Sequence, residues 1–179
     1  MTRLEKTATA TLVFSFLLLA GVVTRGYVKN RAANRAVAPQ VKIGEAIKIP
    51  DASPGKSHST LVLVLSSGCH YCMEDLPFYK QLSDFRRPSA DIRLLAALPE
   101  DVNSARAFLE GAGVFTDGIL SLAPGDLGVR IVPTLLLLDR DNKLQAYWAG
   151  ALSREAQQEV LAALKRACVN CKLASKSEN

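Results

Sequence analysis

The sequence predicts an α/β fold with a mixed, partly parallel sheet, preceded by an N-terminal membrane helix. Three observations predict it. Short continuous apolar runs at residues 61–65 (LVLVL), 92–98 (IRLLAAL) and 134–139 (TLLLLD) read as strands buried on both faces. Segments with apolar residues at three- and four-residue spacing fall between and after them, as helices that cover a sheet do. Residues 7–24 carry no charge at all.

The uncharged segment would span about 27 Å as a helix, against a hydrocarbon core of about 30 Å. Arg3 and Lys6 precede it, as in the n-region of a secretory signal. Leu18, Leu19 and Ala20 offer only one of the two small residues a cleavage site wants, so residues 1–24 are expected to be an uncleaved anchor, with a cleaved signal as the alternative. Four cations follow the span within 12 residues (Arg25, Lys29, Arg31, Arg35), which taken literally favours a cytoplasmic domain. A domain behind a first span translocates largely regardless of such charge. The cysteines described below suit an oxidising compartment, and the expected location is a bacterial inner membrane with the domain facing the periplasm or outside.

Residues 25–58 read as a polar tether and lead-in, with a short edge strand at 41–49. The strand at 61–65 leads into a helix over 72–85, where Leu76, Tyr79 and Leu82 recur at helical spacing beside Phe78 and Phe85. A second helix is expected over 99–109, with a proline and acids in its first turn and Gly111 and Gly113 past its end. A short strand is expected at 119–122. Asp141 and Asn142 turn the strand at 134–139 into an alternating partner at 144–148. Ser153 caps a last helix that runs to about Ala167, with Val160, Leu161 and Leu164 facing inward. The order β-α-β-α-β-β-β-α implies a partly parallel sheet covered on both faces, with an antiparallel hairpin at one edge. The domain is expected to occupy residues 59–167, and a tail residues 168–179.

Charge argues against a nucleic-acid role. Of 22 basic and 17 acidic residues, eight and two fall in residues 1–48, a balance of +6. The remainder, with 14 basic and 15 acidic, balances at −1. A phosphate-binding domain concentrates cations on its folded body.

Cys69, His70, Tyr71 and Cys72 follow the first buried strand and open a helix, and that context gives the C-x-x-C spacing its meaning. Unpaired N–H groups and the positive end of the helix dipole favour a thiolate at Cys69. Cys72, one turn on, is expected to be more buried and protonated. Such a pair can carry out two-step exchange: the outer thiolate attacks a disulfide and the inner thiol resolves the mixed disulfide. Gly68 is expected to let the backbone turn and leave the outer sulfur reachable. His70 either stabilises the thiolate or only shapes the surface, and Tyr71 is expected to line the rim. Asp75 and Glu74 are acids of a first helical turn, where dipole effects alone favour them; Asp75 could also assist proton transfer to Cys72.

These residues resemble the thioredoxin superfamily, especially its membrane-tethered thiol-disulfide oxidoreductases of the TlpA/ResA type. A buried strand runs into C-x-x-C, Pro77 stands five residues after the second cysteine, Val132, Pro133 and Thr134 open a later strand, and Asp75 stands where such proteins often carry a glutamate. The resemblance covers about residues 40–167. It implies a thioredoxin-like mixed sheet flanked by helices and a cis Val132–Pro133 bond that presents the Val132 backbone to an incoming peptide. It also implies Cys69, Cys72 and Asp75 as catalytic residues, with His70, Tyr71, Val132 and Pro133 against the substrate. Pro77 removes a helical hydrogen bond and should kink its helix. The chain departs from the pattern at Gly68, where the family usually has tryptophan, and in its His-Tyr dipeptide. The implied partners are a protein disulfide or dithiol and a redox protein that resets the pair. Residues 7–24 would contact the membrane. No metal or cofactor is expected.

Cys168 and Cys171 form a second C-x-x-C, separated from the first by 95 residues. A local disulfide, a second redox pair relaying electrons to the first, and a four-cysteine zinc site are its three readings. Neither motif is followed by histidine, which excludes c-type haem. Two other functions compete. A peroxiredoxin-type peroxidase would need Pro and Thr where Val62 and Ser66 stand. The other is a non-catalytic thioredoxin-fold binding module, against which two intact cysteines at a helix start argue. The only histidines, His58 and His70, lie in no hydrolase motif.

Overall fold

A computed structural model describes residues 41–50, 59–86 and 91–168. The expected anchor at 1–24, most of the tether at 25–58 and the tail beyond Cys168 lie outside the described residues. Among the described residues no helix is long and apolar enough to cross a membrane.

Five strands form one sheet: β1 (Ser59–Val64), β2 (Ile92–Leu98), β3 (Gly118–Ser121), β4 (Thr134–Asp139) and β5 (Leu144–Ala149). Their order is β3-β2-β1-β4-β5. The β1–β2 and β2–β3 pairs are parallel, and β1–β4 and β4–β5 are antiparallel. β1 lies at the centre, which is why its side chains are apolar on both faces. Leu61 and Leu63 are buried on one side, Val62 and Val64 on the other. The predicted edge strand at 41–49 reduces to a single bridge between Ala46 and Lys143.

The helix expected over 72–85 is two helices, α1 (His70–Glu74) and α2 (Leu76–Arg86), broken at Asp75. Pro77 has no N–H to offer the Met73 carbonyl one turn back, and its ring crowds that turn. The Asp75 N–H closes α1 on Tyr71 and Met73 carbonyls instead. The second predicted helix begins later, as α3 (Val102–Gly111), because the Asp101 side chain caps it by accepting from the Asn103 and Ser104 amides. Gly111 ends α3 rather than following it. The last helix, α4 (Arg154–Ala167), runs as read, with Ser153 accepting from the Ala156 amide.

Inner residues of all four described α-helices pack in one cluster with Leu61, Leu63 and Leu65. Among the described residues the opposite face is covered by no α-helix. Ile47 and Ile49 of the lead-in, with Leu127 and Val129 around a 3₁₀ turn (Pro124–Leu127), close it. Gly128 leaves that turn at φ +67°, a conformation that favours glycine.

Candidate functional site

β1 delivers the chain to the end of the sheet, where Ser66, Ser67 and Gly68 turn it into α1. Cys69 is the N-cap of α1. Its sulfur accepts the Cys72 amide at 3.2 Å and lies 3.7 Å from the Val132 carbonyl, to which the thiol can donate. Cys69 is partly exposed and Cys72 is fully buried; both carry free thiols. Burial, then the hydrogen bond with Cys69, pushes the Cys72 thiol from 9.0 up to about 12. The two sulfurs are therefore unequal, one open to solvent and one held as a thiol.

Asp75 is 7% exposed although it is a carboxylic acid. Its Oδ2 accepts the Leu152 amide at 3.1 Å, from the turn before α4. Burial raises its carboxyl above the ordinary carboxylate range, against the lowering effect of the Leu152 amide and the Tyr79 hydroxyl. Asp75 and Cys72 interact electrostatically, so the buried thiol has a titratable neighbour of elevated proton affinity.

Pro133 is buried behind a cis Val132–Pro133 bond, and its carbonyl accepts the Gly150 amide at 2.8 Å. The structure thus brings Cys69, Cys72, Asp75, Val132 and Pro133 together. His70 and Tyr71 point outward. His70 Nε2 lies 3.1 Å from Glu74 Oε1 one turn on, both exposed, rather than against a sulfur. Tyr71 is 56% exposed and Met73 46%, two large apolar side chains of α1 left open to solvent. Gly68 has no positive φ, and a Cβ there would meet nothing within 4 Å. The expectation that Gly68 lets the backbone turn is corrected to this extent: the backbone there takes a conformation other residues can adopt.

Sequence reasoning missed three contributors. Glu100, read as a first-turn acid of a helix, lies outside α3 and holds the site loop. Its Oε1 accepts the Ser67 amide at 2.8 Å, the Ser67 hydroxyl at 2.7 Å and the Ser66 hydroxyl at 3.1 Å. Partial burial works to raise its carboxyl, but these bonds outweigh that and hold it below its ordinary value. The Ser66 carbonyl in turn accepts the Cys69 amide at 3.1 Å. The Leu152 amide is a backbone group and leaves no trace in residue type. Tyr79 was read only as an apolar helix position; its spacing from Cys72 and Asp75 was the available signal.

Cys168 caps the end of α4 and is disulfide-bonded, whereas Cys69 and Cys72 are not. Its sulfur lies 3.6 Å from Asp91 Oδ2, at the residue preceding β2, and the Asp91 carbonyl accepts the amide of Ser59, the first residue of β1. Cys69 follows the other end of β1, roughly 20 Å away at ~3.3 Å per residue. A zinc ion held jointly by Cys168, Cys69 and Cys72 does not fit this separation. The disulfide at Cys168 agrees with the first of the three readings, whose second cysteine, Cys171, lies outside the described residues.

No protein-family model matches the chain, and no curated protein matches it. Solved structures do match, at the level of fold. A candidate thiol:disulfide interchange protein DsbE from Chlorobium tepidum aligns with a TM-score of 0.60 at 15% identity, covering 72% of this chain and 99% of that one. A candidate protein disulfide isomerase from Bacteroides thetaiotaomicron gives 0.61 at 16% identity, covering 73% and 92%. The thioredoxin domain of a thiol-disulfide oxidoreductase from Bacteroides vulgatus gives 0.55 at 11% identity, covering 70% and 99%. The fold is thioredoxin-like, a mixed α/β sheet with flanking helices, and its structural neighbours are thiol-disulfide oxidoreductases.

Proposed function

We propose that the protein is a thiol-disulfide oxidoreductase that exchanges disulfides with protein substrates through Cys69 and Cys72. One observation carries this reading: two free thiols one helical turn apart, the outer partly exposed and capped by an amide, the inner fully buried. The Cys69 thiolate attacks a substrate disulfide, one substrate sulfur leaves, and a Cys69–substrate disulfide forms. Asp75 takes the Cys72 proton. The Cys72 sulfur then bonds the Cys69 sulfur, and the second substrate sulfur departs as a thiolate. The substrate is reduced by two electrons and the Cys69–Cys72 pair is oxidised; with an oxidised pair and a dithiol the same steps run backwards. A redox partner resets the pair.

Val132, beside Cys69 and ahead of Pro133, is the backbone against which a substrate peptide would lie, with His70 and Tyr71 at the rim. The uncharged segment at residues 7–24 supports membrane anchoring, with the domain on the oxidising side of a bacterial inner membrane. The test is reduction of insulin disulfides by dithiothreitol with catalytic protein: the wild type accelerates it and Cys69→Ala does not. Acceleration that survives Cys69→Ala rejects the proposal. Rapid peroxide consumption without insulin reduction would favour a thiol peroxidase instead.

A further inference from the structure

Tyr79 is the largest fully buried side chain among the described residues, and its hydroxyl makes no well-aligned hydrogen bond to any of them, although the Asp75 carboxyl feels it. A phenol placed wholly inside an apolar core normally finds one, because an unpaired buried hydroxyl is destabilising. What surrounds it is not uniformly apolar. Its electrostatic neighbours are Asp75, Cys72 and Cys69, in that order. Cys72, Asp75 and Tyr79 stand at helical spacing, and the Tyr79 amide donates to the Asp75 carbonyl at 3.1 Å, one turn back. The three side chains line one inner side of the broken helix. The Leu152 amide occupies Asp75 Oδ2 from a different element.

We infer that the Tyr79 hydroxyl is a positioning group that donates to the ionised Asp75 carboxylate, keeping Asp75 able to take the Cys72 proton during resolution of the mixed disulfide. The inference rests on the exchange reading above and extends it to a residue outside the C-x-x-C. Around the reacting groups, Asp75 is faced by Tyr79, the Leu152 amide and the neighbouring Glu74. Cys72 is faced by Cys69, the Ser66 backbone and Asp75. Of these, Tyr79 is the side chain that can donate to Asp75 from within the core. In the step it serves, the thiol proton passes from Cys72 to Asp75, the Cys72–Cys69 bond forms, the Cys69–substrate bond breaks, and the departing sulfur carries off the electron pair. Tyr79 keeps its own proton throughout.

The test uses the adduct of Cys69 with the thionitrobenzoate of Ellman's reagent. Release of the coloured thiolate reports attack by Cys72, followed from pH 4 to 9. In Tyr79→Phe the acid limb of the release rate moves up by about one pH unit, a slowing of roughly tenfold on that limb, while the high-pH plateau stays within twofold. Tyr79→Phe in an Asp75→Asn background adds no further shift. Labelling of Cys69 in a Cys72→Ser background keeps its wild-type rate. A general packing defect would lower the whole curve and the melting temperature instead. Tyr79→Phe and wild-type profiles that superimpose, a lowered plateau with an unmoved limb, or an equal shift in the Asp75→Asn background would each overturn the inference while leaving the exchange reading intact. Failure of the wild-type adduct to release thionitrobenzoate would overturn the exchange reading itself, and this inference with it.

Discussion

The Leu152 amide donates to Asp75 Oδ2 at 3.1 Å, joining residues 77 positions apart in the chain. The bond ties the break between α1 and α2 to the turn before α4. Two residues earlier, the Gly150 amide holds the Pro133 carbonyl at 2.8 Å. One short connection between β5 and α4 thus fixes both the acid and the proline-bearing segment of the site. The backbone amide that holds the Asp75 carboxyl thus comes from a distant part of the chain and not from its own helix.

Asp75→Asn should make the protein more resistant to denaturant, by a margin that depends on pH. Burial raises the Asp75 carboxyl above its ordinary value of 3.8. The folded state therefore holds this proton more tightly than the unfolded chain does. The stability this confers is fully present below 3.8 and is lost as pH rises through the elevated folded value. Asparagine keeps an oxygen for the Leu152 amide and has nothing to ionise. Urea titrations across pH 3–8 should show the advantage of Asp75→Asn over wild type growing upward through that window and then levelling; an advantage constant with pH would contradict the assignment.

Glu100→Ala should destabilise the protein by about 1–3 kcal/mol, since one carboxylate oxygen serves three donors of the loop before Cys69. The wild-type pH dependence has the opposite sign from that of Asp75. The Glu100 carboxyl is held low, so its contribution is present above its ordinary value of 4.5 and lost as pH falls through the lowered one. Thermal melts of wild type and variant at pH 3 and pH 7 measure both effects: the gap between the two should narrow at the acid end.

Gly68→Ala should be nearly silent, within about 0.5 kcal/mol of wild type, because the position has an ordinary φ and open space around a new Cβ. Cys69 alkylation rates should stay within twofold. A large loss would mean that the loop needs glycine for reasons other than conformation or crowding.

Gly128→Ala should cost about 1–2 kcal/mol from its left-handed backbone alone. The new Cβ would also come within 2.5 Å of Val41 Cγ2. Shortening that side chain with Val41→Ala in the same chain should recover the steric part only. Denaturant titration of the two single variants and the double separates these contributions; full recovery in the double would argue that the backbone conformation carries no penalty.

Elements whose signals are local were legible in the sequence. The strand Thr134–Asp139 shows as an unbroken leucine run ending in an Asp-rich turn, where Asn142 adopts φ 58°. Ser153 announces its helix by the cap it makes. Boundaries set by competition were less legible: Pro77 splits one predicted helix at Asp75, and the Asp101 cap moves the next helix start to Val102. Within the site, Cys69 and Cys72 could be read because one helical turn and a preceding strand fix their surroundings. Glu100, Tyr79 and the Leu152 amide could not, because their partners stand on other elements or depend on what the fold buries. The absence of an α-helix from one described face was equally hidden, since a lead-in held by Ile47 and Ile49 looks like any polar tether with a few apolar residues.

In the proposed exchange Cys69 attacks and Cys72 resolves. Incubating Cys72→Ser with a disulfide-bonded protein and mapping adducts by mass spectrometry tests it most directly. A mixed disulfide should accumulate on Cys69, disappear on reduction, and be absent from the Cys69→Ala/Cys72→Ser double variant. An adduct that persists in the double variant, or a Cys72→Ser protein that captures nothing, would contradict it.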